Sequence, residues 1–226
     1  MKPKSISIWG DSIGKSVMFD EARNRHIICR DNYEAYMRGR GLDVRNYARI
    51  GLTAPGGMEL MTEERMEAGG IAVIEFGGND SDIDWASVSE HPDRELHPAK
   101  VSIPDFKKAL SGMIDRARAS GMAPIIVTPL PLVADRYFEW VSRGLDRANI
   151  LKYLGAAEFI YRWQERYDIA VREVAAMART QLFDLRTRFL GEKNLDALMS
   201  VDGIHPNAQG HALIKDAVRE FAAGWA

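Results

Sequence analysis

Near its amino end the chain reads Ser5-Ile6-Ser7-Ile8-Trp9-Gly10-Asp11-Ser12-Ile13-Gly14. Ile6 and Ile8 alternate with serine and lead into Trp9, a pattern typical of a short buried strand. The Gly10-Asp11-Ser12 segment that follows has the composition of a tight turn. A serine directly after a strand can project its hydroxyl from the edge of a sheet, as many nucleophiles do. Gly-Asp-Ser is also a common plain turn, so catalysis needs support from elsewhere in the chain.

That support lies near the other end, in Val201-Asp202-Gly203-Ile204-His205-Pro206-Asn207. Pro206 suits the first turn of a helix, which we predict over residues 207–221. A serine hydroxyl needs a base to take its proton, and the base needs an acid to fix its tautomer. Asp202 and His205 supply both residue types from one short loop. The alternative is a capped helix start with a surface histidine.

Strands and helices alternate between these two ends. We predict strands over residues 5–9, 42–47, 71–76, 124–128 and 181–185, and helices over residues 31–40, with Asp31 as N-cap, 58–68, 104–120 and 157–179. Residues 81–103 and 132–156 are predicted as long insertions, and residues 186–200 as short helical pieces. This alternation predicts an α/β fold with a parallel sheet and helices on both faces. Ligands bind such sheets at the carboxyl ends of the strands.

The composition indicates an ordinary globular protein. The chain has 226 residues, 46% hydrophobic and 27% charged, with a formal charge of −2. We expect one domain over residues 1–226 and no nucleic-acid partner. No apolar run reaches the roughly 20 residues of a membrane span, and residues 1–4 enter the first strand without a signal-peptide core. We therefore expect no membrane span and a cytoplasmic location. The sequence predicts no particular oligomeric state.

Acyl transfer at a serine also needs fixed donors for the negative oxygen of the tetrahedral intermediate. The backbone N–H groups of Ser12 and Gly51, with the side-chain amide of Asn79, could form this oxyanion hole. Each of these residues follows a predicted strand, so all three belong to the same edge of the sheet. A glycine lets the backbone approach substrate closely, and an asparagine amide is a neutral donor.

Four blocks in this order resemble the SGNH-hydrolase superfamily, also called GDSL esterases and lipases. They are Gly10-Asp11-Ser12-Ile13, Asn46-Tyr47-Ala48-Arg49-Ile50-Gly51-Leu52-Thr53, Gly77-Gly78-Asn79-Asp80 and Asp202-Gly203-Ile204-His205-Pro206-Asn207. Two features depart from the family pattern. Ile13 replaces the leucine of the first motif, and the second block is poor in glycine before Gly51, for which Gly56 is a poorer substitute.

The resemblance implies a three-layer α/β/α fold with a five-stranded, flavodoxin-like parallel sheet in the order 2-1-3-4-5. It implies a serine esterase with Ser12 as nucleophile, His205 as base and Asp202 as its orienting acid. Ser12, Gly51 and Asn79 would form the oxyanion hole. The resemblance implies no metal and no organic cofactor.

Other polar residues receive structural interpretations. Asp11 is expected to stabilise its turn, Asp80 to hold Asn79 through backbone hydrogen bonds, and His211 to be structural. Three further histidines have no acid or cysteine at the spacing of a metal site, so we do not expect them to be ligands: His26, His91 and His97. Cys29 is the only cysteine, which excludes an internal disulfide, and we expect it to be a small buried apolar residue.

The leading functional hypothesis is hydrolysis of small carboxylic esters, with a short or acetyl acyl group that a carbohydrate could carry. Hydrolysis of lysophospholipids or thioesters, and a non-catalytic binding protein on the same fold, are the alternatives. Phosphoryl transfer is disfavoured because the chain has no Gly-x-x-x-x-Gly-Lys loop. Four aromatic residues in the two insertions could line a substrate pocket or simply pack against the body: Trp85, Tyr137, Phe138 and Trp140.

Overall fold

The computed structural model of the protein describes Pro3 and residues 5–225, except the side chain of Trp225. The prediction that residues 1–4 enter the first strand without a signal-peptide core concerns mainly residues that lie outside the described part of the chain. Among the described residues, no helix is both long and apolar enough to cross a bilayer.

A five-stranded parallel sheet forms the centre of the molecule. The strands in chain order are β1 (Ile6–Gly10), β2 (Val17–Asp20), β3 (Arg25–Ile28), β4 (Val44–Asn46), β5 (Ile71–Glu75), β6 (Ala123–Val127) and β7 (Gln181–Phe183). The sheet has the order β4-β1-β5-β6-β7, and every neighbouring pair is parallel. Counted over these five strands the order is 2-1-3-4-5, which confirms the predicted topology.

Helices cover both faces of this sheet and complete three layers. They are α1 (Tyr33–Gly39), α2 (Ala54–Glu63), α3 (Gly78–Ser81), α4 (Trp85–Glu90), α5 (Ile103–Ala119), α6 (Ala134–Val141), α7 (Arg147–Leu154), α8 (Glu158–Met177), α9 (Leu185–Leu190) and α10 (Ala208–Ala222). One core cluster joins the sheet to α2, α5 and α8, and a second joins it to α1, α9 and α10. On α5, Phe106, Leu110 and Met113 lie fully buried on one stripe, as the helical spacing predicted.

Several helix boundaries differ from the predictions. Helix α1 is capped by Asn32, whose side-chain oxygen accepts the N–H of Ala35 at 2.8 Å, and not by Asp31. Helix α2 begins at Ala54 with Pro55 in its first turn and ends at Glu63, so it lies earlier in the chain than the predicted range. A proline has no N–H to lose at the first helical position.

The two long insertions contain short helices that the sequence did not reveal. Helix α4 lies in residues 81–103, while α6 and α7 lie in residues 132–156. The side chains of Asp84 and Asp146 cap α4 and α7 by accepting the N–H of Ser87 and of Asn149. Helices of six to eight residues span only about two turns, so their apolar periodicity is weak.

Strands β2 and β3 form an antiparallel hairpin outside the main sheet. Asn24 adopts a left-handed conformation, with φ of 48°, in its exposed tip. Several hydrogen bonds hold the hairpin to the carboxyl-terminal part of the chain, two of them from its first strand. The N–H of Phe19 donates to Oγ of Ser200 at 3.2 Å, and Nε2 of His211 lies 3.1 Å from the carbonyl of Val17. This hairpin was not predicted, and it carries His26.

Candidate active site

The turn after β1 places Ser12 at the carboxyl edge of the sheet. Asp11 stabilises this turn, as predicted, because its Oδ1 accepts the N–H of Ile13 at 2.8 Å. The N–H of Gly14 donates to Oε2 of Glu75 at 3.1 Å, which ties the turn to the end of the neighbouring strand β5. The carboxyl groups of Asp11 and Glu75 therefore hold in place the backbone from which the Ser12 side chain projects.

The loop before α10 is organised by Asp202. Its Oδ1 accepts the backbone N–H groups of Ile204 at 3.1 Å and His205 at 3.0 Å. Gly203 has a φ of +76°, and a Cβ there would lie 2.6 Å from the carbonyl oxygen of Val133. Only glycine meets both conditions. Asn207 then caps α10 by accepting the N–H groups of Gln209 and Gly210.

The structure brings Ser12, His205 and Asp202 together. Nε2 of His205 lies 2.9 Å from Oγ of Ser12, although the two residues are 193 positions apart. Nδ1 of His205 lies 2.7 Å from Oδ2 of Asp202. A carboxylate can only accept, so Nδ1 carries the proton and Nε2 has a free lone pair for the serine hydroxyl.

Asp202 is fully buried, yet it stays ionised. Burial raises its pKa, but hydrogen bonds and the charge of His205 outweigh this effect and lower the pKa to about 2. Hydrogen bonds to the charged form of an acid favour that form. The carboxylate can therefore steady a positive charge on the imidazole of His205.

His26 is a member of this site that the sequence analysis missed. Its Nε2 lies 2.9 Å from Oδ2 of Asp202, the same oxygen that His205 contacts. The rings of His26 and His205 are 4.8 Å apart between centroids. The sequence shows no acid near His26 at the spacing of a metal site, but the structure gives it an acid partner in Asp202. That partner is 176 positions away, so no local spacing could have revealed it.

The structure links Asn79 to the blocks of Ser12 and Gly51 by hydrogen bonds. Nδ2 of Asn79 donates to Oδ2 of Asp11 at 3.1 Å and to the carbonyl of Leu52 at 3.2 Å. Both amide hydrogens thus have partners in this state. The adjacent residue Asp80 is buried, and its Oδ1 accepts the N–H of Ala54 at 2.8 Å, which confirms the predicted backbone contact.

Gly51 lies in an exposed turn that the N–H of Leu52 closes by donating to the carbonyl of Arg49. Its φ of +77° is left-handed, which favours glycine. Among the described residues, hydrogen bonds connect this turn to Asn79 and not directly to Ser12. Gly56, the alternative, lies inside α2.

Three buried carboxyl groups, those of Asp11, Glu75 and Asp80, lie in or near the Ser12 turn. Burial, with the nearby charge of Asp11, raises the pKa of Glu75 well above its usual value, so Glu75 favours its protonated form. Burial also raises the pKa of Asp11 and brings that of Asp80 to about 7. Glu75 was not singled out in the sequence because it ends an otherwise apolar strand.

A cavity of about 130 Å³ opens beside Ser12 and His205. Two of the four candidate aromatic residues, Trp85 and Tyr137, line it. Both donate hydrogen bonds of 2.8 Å to Oδ1 of Asp82. Much of the remaining wall is apolar and comes from residues that the sequence analysis did not single out: Ile83, Leu130, Leu132, Leu154, Phe159, Ile160, Trp163 and Ile204.

The other two aromatic candidates lie elsewhere. Phe138 is buried in the core cluster of α4, α6 and α7. Trp140 packs edge-on against Phe19 of the hairpin, with ring centroids 5.0 Å apart, and lies 5.9 Å from the ring of His26. Neither side chain is part of the cavity wall, so Trp140 supports the hairpin that carries His26.

His211 and Cys29 match their structural interpretations. His211 is buried and contacts the Val17 carbonyl, and burial lowers its pKa. His97 is buried with its Nε2 3.0 Å from the carbonyl of His91. Neither His91 nor His97 joins a possible metal-binding group among the described residues. Cys29 is buried, as expected.

Comparison with known proteins gives the family. Residues 9–213 match the GDSL-like Lipase/Acylhydrolase family. The chain belongs to this family. GDSL-like acylhydrolases are hydrolases of esters, and the four blocks of the sequence all lie within the matched region. Among curated proteins, none matches this sequence.

Solved structures of GDSL-like and related proteins share the fold. A lipase/acylhydrolase from Enterococcus faecalis has a TM-score of 0.65 at 21% identity, covering 99% of this chain and 97% of that one. A GDSL-like lipase from Bacteroides thetaiotaomicron has a TM-score of 0.63 at 13% identity, covering 99% and 89%. A mutant acetyl-xylooligosaccharide esterase from Geobacillus stearmophilus has a TM-score of 0.63 at 18% identity, covering 100% and 97%. At these identities the similarity establishes the fold alone.

Proposed function

We propose that this GDSL-like acylhydrolase is a serine esterase for small carboxylic esters, with Ser12 as nucleophile, His205 as base and Asp202 as orienting acid. The observation that carries the proposal is the continuous contact from Oγ of Ser12 to Nε2 of His205, at 2.9 Å, and from Nδ1 of His205 to Oδ2 of Asp202, at 2.7 Å. Nucleophile, base and orienting group in hydrogen-bond contact are the arrangement that serine catalysis requires.

The reaction proceeds in two acyl-transfer steps. Oγ of Ser12 attacks the ester carbonyl while Nε2 of His205 takes its proton. His205 then returns this proton to the leaving alcohol, and the acyl group stays on Ser12. Water enters, loses a proton to Nε2 and attacks the acyl carbon, which releases the acid and restores the serine. Ionised Asp202 stabilises the imidazolium that forms in each step.

The negative oxygen of each tetrahedral intermediate needs donors. The backbone N–H groups of Ser12 and Gly51 donate to no described residue, so both are available. Asn79 would supply its amide by sharing a hydrogen that now contacts Asp11 or the Leu52 carbonyl. Distances of 3.1 and 3.2 Å lie at the long end of N–H···O bonds, which suits a donor that shifts toward a stronger acceptor.

The cavity beside Ser12 supports an acyl site. Its volume of about 130 Å³ suits a small acyl group, and its largely apolar wall disfavours a charged one. One protein with a similar structure is an acetyl-xylooligosaccharide esterase. We propose that the substrate is an ester of acetate or another short acid, such as an acetylated carbohydrate. The apolar wall formed by Leu154, Phe159 and Trp163 also favours a second candidate, a longer acyl chain from a lysophospholipid or thioester.

An ester panel separates these candidates. Nitrophenyl esters of acetate, butyrate, hexanoate, octanoate and decanoate differ only in acyl length, and we expect the highest kcat/KM at acetate or butyrate. A maximum at decanoate would overturn the short-acyl proposal in favour of the second candidate. A fluorophosphonate probe tests the serine itself: wild type should be labelled, Ser12→Ala should not, and His205→Ala should react far more slowly. Labelling of Ser12→Ala at the wild-type rate would contradict the assignment of the nucleophile.

We further propose that residues 1–226 act as one domain in the cytoplasm.

A further inference from the structure

Three potential metal ligands converge behind the nucleophile. They are His26, Asp202 and His205, here called the His-Asp-His cluster, and their ligand atoms all lie within 4.8 Å of one another. Among the described residues, this is the group of three or more such side chains that could hold a metal ion. We propose that the His-Asp-His cluster binds a divalent transition-metal ion such as Zn²⁺, and that the bound ion reversibly switches the esterase off.

The donor set fits zinc. Two imidazole nitrogens and one carboxylate oxygen form a common set of protein ligands for Zn²⁺, with a water molecule in the fourth position. Metal–ligand distances of about 2.0–2.2 Å put neighbouring ligand atoms of a tetrahedral site roughly 3.3 Å apart. The present separations from Oδ2 of Asp202 are 2.9 Å to His26 and 2.7 Å to His205. The two distances from Asp202 must therefore widen by about half an ångström, while the two histidine nitrogens, which lie within 4.8 Å of each other, must move closer together.

His26 provides this movement and the path for entry. The side chain of His26 is 36% exposed, whereas Asp202 is fully buried. The imidazole lies on the two-stranded hairpin, outside the main sheet, so it can shift without moving β1, the strand that leads into the Ser12 turn. Its exposed side faces the solvent that supplies the metal ion and its water ligand.

Proton balance explains why the bound ion is inhibitory. An imidazole that binds the metal through its protonated ring nitrogen gives up that proton, which moves to its other ring nitrogen. If the ion takes Nδ1 of His205, Nε2 carries the proton and can no longer accept one from Ser12. If the ion takes Nε2, the lone pair that would accept the serine proton is used. His205 cannot act as a base in either case. This inhibition rests on the proposed function, but metal binding does not.

Calorimetric titration with ZnSO₄ tests binding apart from catalysis. Ser12→Ala protein lacks the nucleophile but keeps all three ligands, so it should bind one Zn²⁺ per chain. Adding His26→Gln should weaken zinc binding by at least about tenfold, because even the loss of a residue that only hydrogen-bonds a metal ligand lowers metal affinity by about tenfold or more. His91→Gln is the matched control, because it makes the same change at an exposed histidine outside the cluster, and it should bind as the parent does.

Equal affinity with and without His26→Gln would mean adventitious binding only and would overturn the proposal. Thermal melting confirms that His26→Gln is folded, and His26→Leu provides a second variant if it is not. In the activity assay, Zn²⁺ should inhibit wild type, EDTA should restore its rate, and His26→Gln should need at least about tenfold more zinc relative to its own metal-free rate. If no chain hydrolyses esters, the proposed function fails while the calorimetric result still decides the metal site.

Discussion

His26 lies with its Nε2 2.9 Å from Oδ2 of Asp202. This oxygen also receives Nδ1 of His205 at 2.7 Å, so two imidazoles donate to one carboxylate oxygen. Because Asp202 has a pKa of about 2, it is an acceptor at neutral pH and both nitrogens must carry protons. The buried carboxylate is thus oriented from the Ser12 side and from the hairpin side at once.

Loss of the hydrogen bond that His26 donates to Asp202 should slow turnover. A hydrogen bond to a charged group contributes about 1.5–3 kcal/mol, and we expect His26→Leu to lower kcat by on the order of tenfold. KM should change little, because His26 does not line the substrate cavity. His26→Gln keeps an N–H donor at a similar reach and should retain most of the activity. Steady-state kinetics on a short-acyl ester checks this, and equal loss in both variants would show that packing alone matters.

Asn79 should matter more to turnover than to binding. Removal of an oxyanion donor costs about 2.7–4 kcal/mol of transition-state stabilisation, so Asn79→Ala should lower kcat by about 10²–10³-fold with KM nearly unchanged. Asp11→Asn is a companion variant, since Asp11 is the side chain that accepts from the Asn79 amide. It should reduce kcat less than Asn79→Ala does. A raised KM with an unchanged kcat in Asn79→Ala would show that this amide contributes to ground-state binding only.

The buried acid next to Asn79 makes the stability depend on pH. Burial raises the pKa of Asp80 from 3.8 to about 7, so the folded protein keeps a proton that the unfolded chain has lost in this range. The free energy of unfolding should therefore fall as pH rises from about 4 to 7, by at most about 4 kcal/mol, and then level off.

Asp80→Asn removes this contribution while keeping the oxygen that accepts from Ala54. The difference in free energy of unfolding between wild type and Asp80→Asn should thus shift in favour of wild type as pH falls from 7 to 5. Urea denaturation at several pH values measures it, and the subtraction cancels groups common to both proteins. A difference that does not vary with pH would contradict the assignment.

The cavity wall should set acyl length. Leu154, on α7, is buried and lines the cavity, whereas Ile150 on the same helix is buried without lining it. Both alanine variants should lose about 2–5 kcal/mol of stability, as large-to-small core changes do. Only Leu154→Ala should move the preferred acyl chain of the ester panel to greater length. A similar shift in Ile150→Ala would indicate a general loosening of the α4, α6 and α7 cluster.

The sequence revealed those parts of the site that depend on short-range patterns. The turn at Ser12 and the loop from Asp202 to His205 each combine the needed residues within a few positions, and the apolar β5 fixed the centre of the sheet. Glu75 was missed because apolar neighbours hide one polar residue in a buried strand. His26 was missed because its acid partner is distant in the chain and its hairpin has short strands. Helices α6 and α7 were missed because each makes only about two turns.

The exposed tip of the β2–β3 hairpin makes the chain accessible to proteolysis close to His26. This tip, with Arg23 and Arg25 exposed on either side of Asn24, is open to a trypsin-like protease, and a cut there would leave every strand of the central sheet whole. The clipped chain would keep Ser12, His205 and Asn79 in place but would loosen His26, which contacts Asp202. A single proteolytic cut in this exposed hairpin would therefore weaken the contact between His26 and Asp202 without unfolding the protein.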